Sequence, residues 1–276
     1  MDPRPTPTAE MVSVIVPTRN NERTIRACLA SVKAQTHPVE LIVVDNHSTD
    51  ATVAIGQELA DQFITAGPER SAQRNTGIRA ATSEWILWLD SDIILPPNAV
   101  ALAVQTARTT AATGVALPER TIGDGFWTSV RALERECYLN APWLHNPRLL
   151  RRDDMLARGF NEAMSGPEDA DLRFRIRDAG GTVALAPVII DHDEGRLTLR
   201  DIWQKRYYYG LSLPHLVTHH DGAMGDQGSG VLRAYAKNWR LLLSHPVKAV
   251  AMAGMRVMEA AGYLWGARAG RRATHA

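Results

Sequence analysis

An alternation in the first ninety residues most limits how this chain can fold. Short apolar, β-branched runs recur: "MVSVIVP" from Met11 to Pro17, "ELIVVD" ending at Asp45, and "EWILWL" running into Asp90. Between them lie segments with helical spacing. "NERTIRACLASVKAQ" puts Ile25, Leu29 and Val32 on one face, and "STDATVAIGQELA" and "RSAQRNTGIRAA" read as two more helices. The apolar runs predict buried strands, and the intervening segments predict crossover helices. Such an order folds into a parallel sheet with helices on its faces. Ligands of these sheets bind beyond the carboxyl ends of the strands. Pro17 to Asn20, Asp45 to Ser48 and Asp90 to Asp92 all fall at such ends.

The end of the last run is unusual. "WLDSDIILPP" places two carboxylates one residue apart after a buried strand, where an uncompensated charge is costly. In extended chain, residues i and i+2 point to the same side. Asp90 and Asp92 can therefore face one hard cation, Mg2+ or Mn2+, which also binds phosphates. The structural alternative is that Asp92 caps the turn before Pro96 and Asp90 only ends the strand. Glycine-rich nucleotide signatures are missing: "PTRNNE" follows the first strand, and no GxxxxGK[ST] occurs. This disfavours a nicotinamide dehydrogenase or a P-loop enzyme. A net charge of +1 disfavours a general nucleic-acid binder. Two cysteines without CxxC spacing suit a reducing compartment, so a cytoplasmic location is expected.

Other candidates are paired with plain structural readings. Arg70 and Arg74 share a helix face, either for phosphate or base binding or as a solvated surface. Glu168, Asp169 and Asp171 open a helix that runs to Gly180, where acids favour the dipole, yet one carboxylate there can serve as a general base. His192, after "PVII", is either a metal ligand or a structural histidine. Lys205 and Arg206 in "QKRYYYG" suit a diphosphate, or belong to a helix with an aromatic packing face.

Taken together, "VSVIVPTRNNERTI", "LIVVDNHSTDAT", "RSAQRNTGIRAATSEWILWLDSDIIL", "GFNEAMSGPEDADLRFRIRDAGG" and "HDEGRLTLRDIWQKRYYYG" resemble, in order, the family 2 glycosyltransferases of GT-A fold. The resemblance implies an α/β, mostly parallel Rossmann-like sheet over residues 11–195; the Pro/Thr-rich start reads as a loose tail over 1–10, and the shift in composition after Gly195 reads as a helical extension over 196–276. The resemblance also implies an inverting enzyme using a UDP-, GDP- or dTDP-linked sugar and a glycan or lipid-linked acceptor. Asp92 would bind the divalent metal, Asp90 the ribose or the metal, and His192 would complete the metal shell. Asp169 would be the base, with Glu168 on the acceptor side. Pro17, Thr18, Arg19, Asn20, Glu22, Asp45, Asn46, Arg70, Arg74, Asn75, Ser91, Lys205 and Arg206 would bind the donor. Two departures stand out. Asn46 replaces the second acid common after the second strand, and Arg19 stands where an aromatic residue is frequent.

The C-terminal segment carries charge on one side and apolar residues on the other. Lys248, Arg256 and Glu259 share one face, and Val250, Val257, Ala261, Leu264 and Trp265 lie opposite. Charges interrupt every apolar window before the ~18 to 20 residues a spanning helix needs. The segment reads either as an interfacial element on the inner face of a membrane or as a helix packed on the catalytic domain.

Overall fold

The computed structural model describes residues 11–164, 166–220 and 223–274. The tail expected over 1–10 lies outside the described residues. The chain begins β1 (Val12–Thr18), α1 (Ile25–Lys33), β2 (Val39–Asp45), α2 (Thr52–Leu59), β3 (Gln62–Thr65), α3 (Arg70–Ala80), β4 (Trp85–Trp88) and β5 (Ile93–Ile94). It continues with α4 (Ala99–Thr110), β6 (Gly114–Ala116), β7 (Glu119–Ile122), α5 (Phe126–Glu136), β8 (Leu149–Arg151), α6 (Arg152–Arg158) and α7 (Glu168–Asp178). The remainder is β9 (Val183–Leu185), β10 (Ile190–Asp193), α8 (Leu199–Leu211), α9 (Leu213–His219), α10 (Ala223–Lys237), α11 (Trp239–Ser244) and α12 (Pro246–Thr274). Two compact units result. One runs to Leu117 and adds Pro147–Phe160 and Gly181–Ile190; the other holds Pro118–Asn146, Asn161–Gly180 and the chain from Asp191.

The first unit is the expected mixed α/β body, with a seven-stranded sheet in the order β3-β2-β1-β4-β8-β6-β9. β1 is parallel to both β2 and β4, while β8 runs antiparallel to β4 and β6. Val14 and Val16 of β1, Leu41 and Val43 of β2, and Leu87 of β4 share a core with Ile25, Leu29 and Val32, the face that the spacing of α1 predicts. Each such side chain contributes roughly 1.5–3 kcal/mol on burial. β3 was not expected. It is a four-residue edge strand, QFIT, half-buried and without an apolar run to reveal it.

The second unit is mainly helical. "HHDGAMGDQGSG", whose glycines and polar residues read as a loop in the sequence, is helical from Ala223. Of its glycines Gly230 is the one in close contact: a Cβ there would lie 2.8 Å from the Trp143 ring. α12 presses closely on α8, since a Cβ on Gly266 would meet the Tyr207 carbonyl oxygen at 2.1 Å and one on Gly210 the Tyr263 carbonyl oxygen at 2.5 Å. Among the described residues no helix is long and apolar enough to cross a membrane.

Buried charge sets the rotation of α12. Glu259 is 2% exposed and accepts from Arg131 of α5 at 2.5 Å, Arg206 of α8 at 2.7 Å and Arg256 at 3.1 Å. Glu134 joins through Arg131, Arg256, Tyr138 and Tyr235. Burial alone would raise the Glu259 carboxyl, but Arg206, Arg131 and Arg256 outweigh it and hold it at about 2. A depressed carboxylate stabilises the fold above its unfolded value, 4.5, and that contribution is lost as pH falls toward 2. Thermal melts are therefore expected to drop between those two pH values. Glu259→Gln should lower stability at neutral pH by ~3 kcal/mol, because it strands buried arginines, and should flatten the acid limb. An unchanged limb in that variant would show that the cluster does not govern acid stability.

Candidate active site

The carboxyl ends of the parallel strands lie side by side. Thr18 at the end of β1 is in register with Asp45 at the end of β2, and the chain leaving β4 stays beside β1, with Leu89 N donating to Ile15 O. The loops after β1 and β2 are cross-linked. Asn20 N donates to Ser48 Oγ at 2.8 Å, and Asn20 Oδ1 accepts from Thr49 N at 2.8 Å. Glu22 Oε2 accepts from Ala51 N at 3.1 Å. Asp45 accepts from Ser48 N at 2.9 Å and Ser48 Oγ at 2.5 Å. Asn46 Nδ2 donates to Pro68 O at 2.5 Å. Asp45 and Asn46 are buried and frame the loops, whereas Arg19, Asn20 and Glu22 are exposed at the edge. Pro17 and Thr18 are buried in the strand itself.

Beyond β4, Asp90 is an arginine acceptor. Arg74 Nη2 donates to its Oδ1 at 2.8 Å, Arg70 approaches the same oxygen at 3.5 Å, and Arg148 Nη2 donates to Oδ2 at 3.4 Å. The guanidinium of Arg74 lies 4.1 Å from the Trp88 ring centroid and that of Arg148 lies 4.6 Å from it, which adds cation–π attraction. Phe160 meets Trp88 edge-on, with centroids 5.6 Å apart. Asn75 fixes Phe160, accepting from its N at 2.7 Å and donating to its O at 2.9 Å. Ser91 Oγ accepts from Asn21 Nδ2 at 2.6 Å. Cys28 Sγ lies 3.6 Å from the Asp90 carbonyl oxygen, and burial, with Asp92 nearby, pushes its thiol well above the ordinary range.

Arg74 is fully buried and meets Asp90, Asn75 is partly buried and holds Phe160, and Ser91 is buried against Asn21. Arg70 keeps partial exposure. Arg148 and Trp88 were missed. Arg148 is 58 positions from Asp90 along the chain, in "NPRLL", and only the antiparallel placement of β8 beside β4 brings it close.

The remaining candidates belong to the second unit. α7 opens with Glu168, Asp169 and Asp171. Glu168 is buried and accepts from Gly166 N at 2.5 Å, which shapes the turn before α7. Asp171 is buried between Arg175 at 2.8 Å and His220 Nε2 at 2.9 Å. Asp169 stays half-exposed. Arg206, expected at the diphosphate, is committed to Glu259 and to the Tyr263 hydroxyl at 3.2 Å. Lys205 is exposed, 6.0 Å from the Tyr209 ring centroid. His192 is buried with Nδ1 2.9 Å from Glu119. The Glu194 side chain is largely shielded, a setting that disfavours its charge, but Arg135, His192 and Lys205 hold it at about 2.

Residues 13–174 match the model of Glycosyl transferase family 2. The chain belongs to that family. It is 26% identical over 246 residues to a pre-mycofactocin glycosyltransferase of Mycobacterium tuberculosis, covering 79% of this chain and 51% of that protein. It therefore spans about half the length of the first curated relatives it matches. Its fold is similar to the mannosyltransferase PcManGT from Pyrobaculum calidifontis, solved with GDP-Man and Mn2+, at TM-score 0.63 and 19% identity over 94% of this chain and 88% of that one. S. aureus TarS residues 1–349, solved with UDP-GlcNAc, is similar at TM-score 0.55 and 16% identity over 95% of this chain and 92% of that one. The GT-A fold expected from the motifs is the fold found.

A divalent metal is implied by the family, and the donor chemistry fits it in part. Among the described residues no group of three or more His, Cys, Asp or Glu side chains is assembled as a shell. Asp90 does not fit, because arginines already neutralise it. Asp92 supplies hard carboxylate oxygens in the turn that follows. His192, oriented by a carboxylate at Nδ1, has the arrangement of a histidine that ligates through Nε2.

Proposed function

We propose that the chain transfers a sugar from a nucleotide-diphosphate donor to a hydroxyl acceptor with inversion at the anomeric carbon. The observation that carries this reading is the cluster after β4. One carboxylate, Asp90, is met there by Arg70, Arg74 and Arg148. The cluster gathers three guanidiniums at the carboxyl edge of a parallel sheet, and arginines in such a place suit a diphosphate. Arg70 is its partly exposed member and is assigned to the phosphates. Arg19, Asn20 and Glu22, at the exposed loop edge, are assigned to the nucleoside, with Asp45 and Asn46 shaping the loops behind them.

Asp92 would hold Mn2+ or Mg2+. When bound, such an ion neutralises charge developing on the leaving diphosphate. Asp169 takes the proton of the acceptor hydroxyl as its oxygen attacks the anomeric carbon opposite the diphosphate, and a single displacement from that side inverts the centre. The first turn of α7 suits this residue. Its neighbours Glu168 and Asp171 are fixed inside, and the helix N-terminus favours a carboxylate.

The test is a donor screen with UDP-, GDP- and dTDP-linked sugars, with added metal and with EDTA. Release of nucleoside diphosphate from one donor, abolished by EDTA, is expected. Donor binding without turnover of any sugar would make the chain a silent binder. Full turnover in EDTA would remove the metal from the reading.

A further inference from the structure

α12 is apolar on two sides. Its inner side packs Met252 and Met255 against Val130 of α5 and Ile202 of α8 and also turns Glu259 and Arg256 inward, while a second apolar side turns outward. Between Val247 and Trp265 every exposed residue is Val, Ala, Gly, Leu or Trp. Val247, Val250 and Val257 are 70%, 75% and 73% exposed, and Leu264 and Trp265 are 57% and 62% exposed. At a rise of 1.5 Å per residue this stripe is about 27 Å long. α11 extends it with exposed Trp239 and Leu243. Continuous apolar patches of this kind mark interaction surfaces.

Charge at the two ends of the stripe identifies the occupant. Arg240 is exposed near one end, and Arg268, Arg271 and Arg272 near the other. Residues 231–276 hold eight Lys and Arg against a single acid, Glu259, a net of +7. The whole chain nets +1, so residues 1–230 net −6. Because Glu259 faces inward, the outer face has basic ends and no acid between them. A second copy of the chain would bring basic ends together in either orientation, with nothing to neutralise them. An anionic surface complements both ends, and tryptophans such as Trp239 and Trp265 favour the headgroup level of a bilayer.

We propose that the outer face of α11 and α12 docks, without spanning, on a bilayer that carries anionic lipids. The proposal does not depend on the transfer reaction. It is tested by sedimenting the intact chain with vesicles of phosphatidylcholine, alone or mixed with phosphatidylglycerol, over a salt series. Light scattering follows the oligomeric state, and melting curves follow the fold. Binding to the mixed vesicles that weakens with salt is expected. Arg268→Gln, Arg271→Gln and Arg272→Gln together should weaken it ~10²-fold, at about 5-fold for each basic residue. Val257→Asp with Leu264→Asp should abolish binding with the melting temperature unchanged, since both side chains lie in solvent. No sedimentation at any salt would overturn the proposal, as would equal binding to pure phosphatidylcholine. A dimer that the paired Asp variant dissociates would assign the face to a second copy and also overturn it.

Discussion

Asp169→Asn is expected to reduce sugar transfer by ~10² to 10⁴, the usual share of general-base catalysis, while donor affinity stays near that of the parent. The residue is assigned to the acceptor hydroxyl, so its loss leaves the nucleotide contacts in place. Asparagine has nearly the same shape, and the side chain is only half-buried at the start of α7, so the fold is not at risk. Transfer is measured with saturating donor, and donor affinity separately by calorimetry. A parallel collapse of both would make Asp169 a binding residue. The neighbouring acid is the control. Glu168→Gln touches a fully buried carboxylate bonded to Gly166 N, so its effect should appear first in the melting temperature.

Asp92→Asn is expected to lower turnover by at least ~10², about 2.7 kcal/mol at the transition state, and to weaken metal-dependent donor binding along with it. Removing one negative charge from a hard-ion site affects every state in which the ion is held. The readout is donor affinity with and without Mn2+, alongside turnover. A variant that keeps the parent's metal dependence would exclude Asp92 from the site. The distinction from Asp90 is physical: Asp90 faces arginines in the protein itself.

The parallel sheet was legible because its strands are continuous apolar runs and because the face of α1 repeats at helical spacing. The edge of the sheet that matters was legible too, since Asp45 and Asp90 end those runs. What each side chain does there was not. Arg74 and Asn75 stand in a motif that points to a nucleotide, yet packing against Trp88 and Phe160 draws them into the wall of the site. Arg148 could not be found by local pattern, because a strand pairing supplies its neighbour. β3 lacked an apolar run, and Gly225, Gly228 and Gly230 gave the start of α10 the look of a loop. The C-terminal helix shows the clearest limit. The side holding Arg256 and Glu259 turns inward because Arg131 and Arg206, which lie on other helices, meet it, and the buried Met252 and Met255 beside it were not singled out.

The Glu259 cluster separates two properties that are usually tied together. When an amphipathic helix is held by its apolar side, a change on that side alters folding and adhesion at once. Here the inner side is keyed by charge, by the close approach at Gly266 and by its own methionines, Met252 and Met255. Positions such as Val250, Val257 and Leu264 are then free to vary without loss of the fold. A lineage carrying this architecture can retune, or give up, what its outer surface adheres to one residue at a time, while the opposite side of the same helix stays under strict selection.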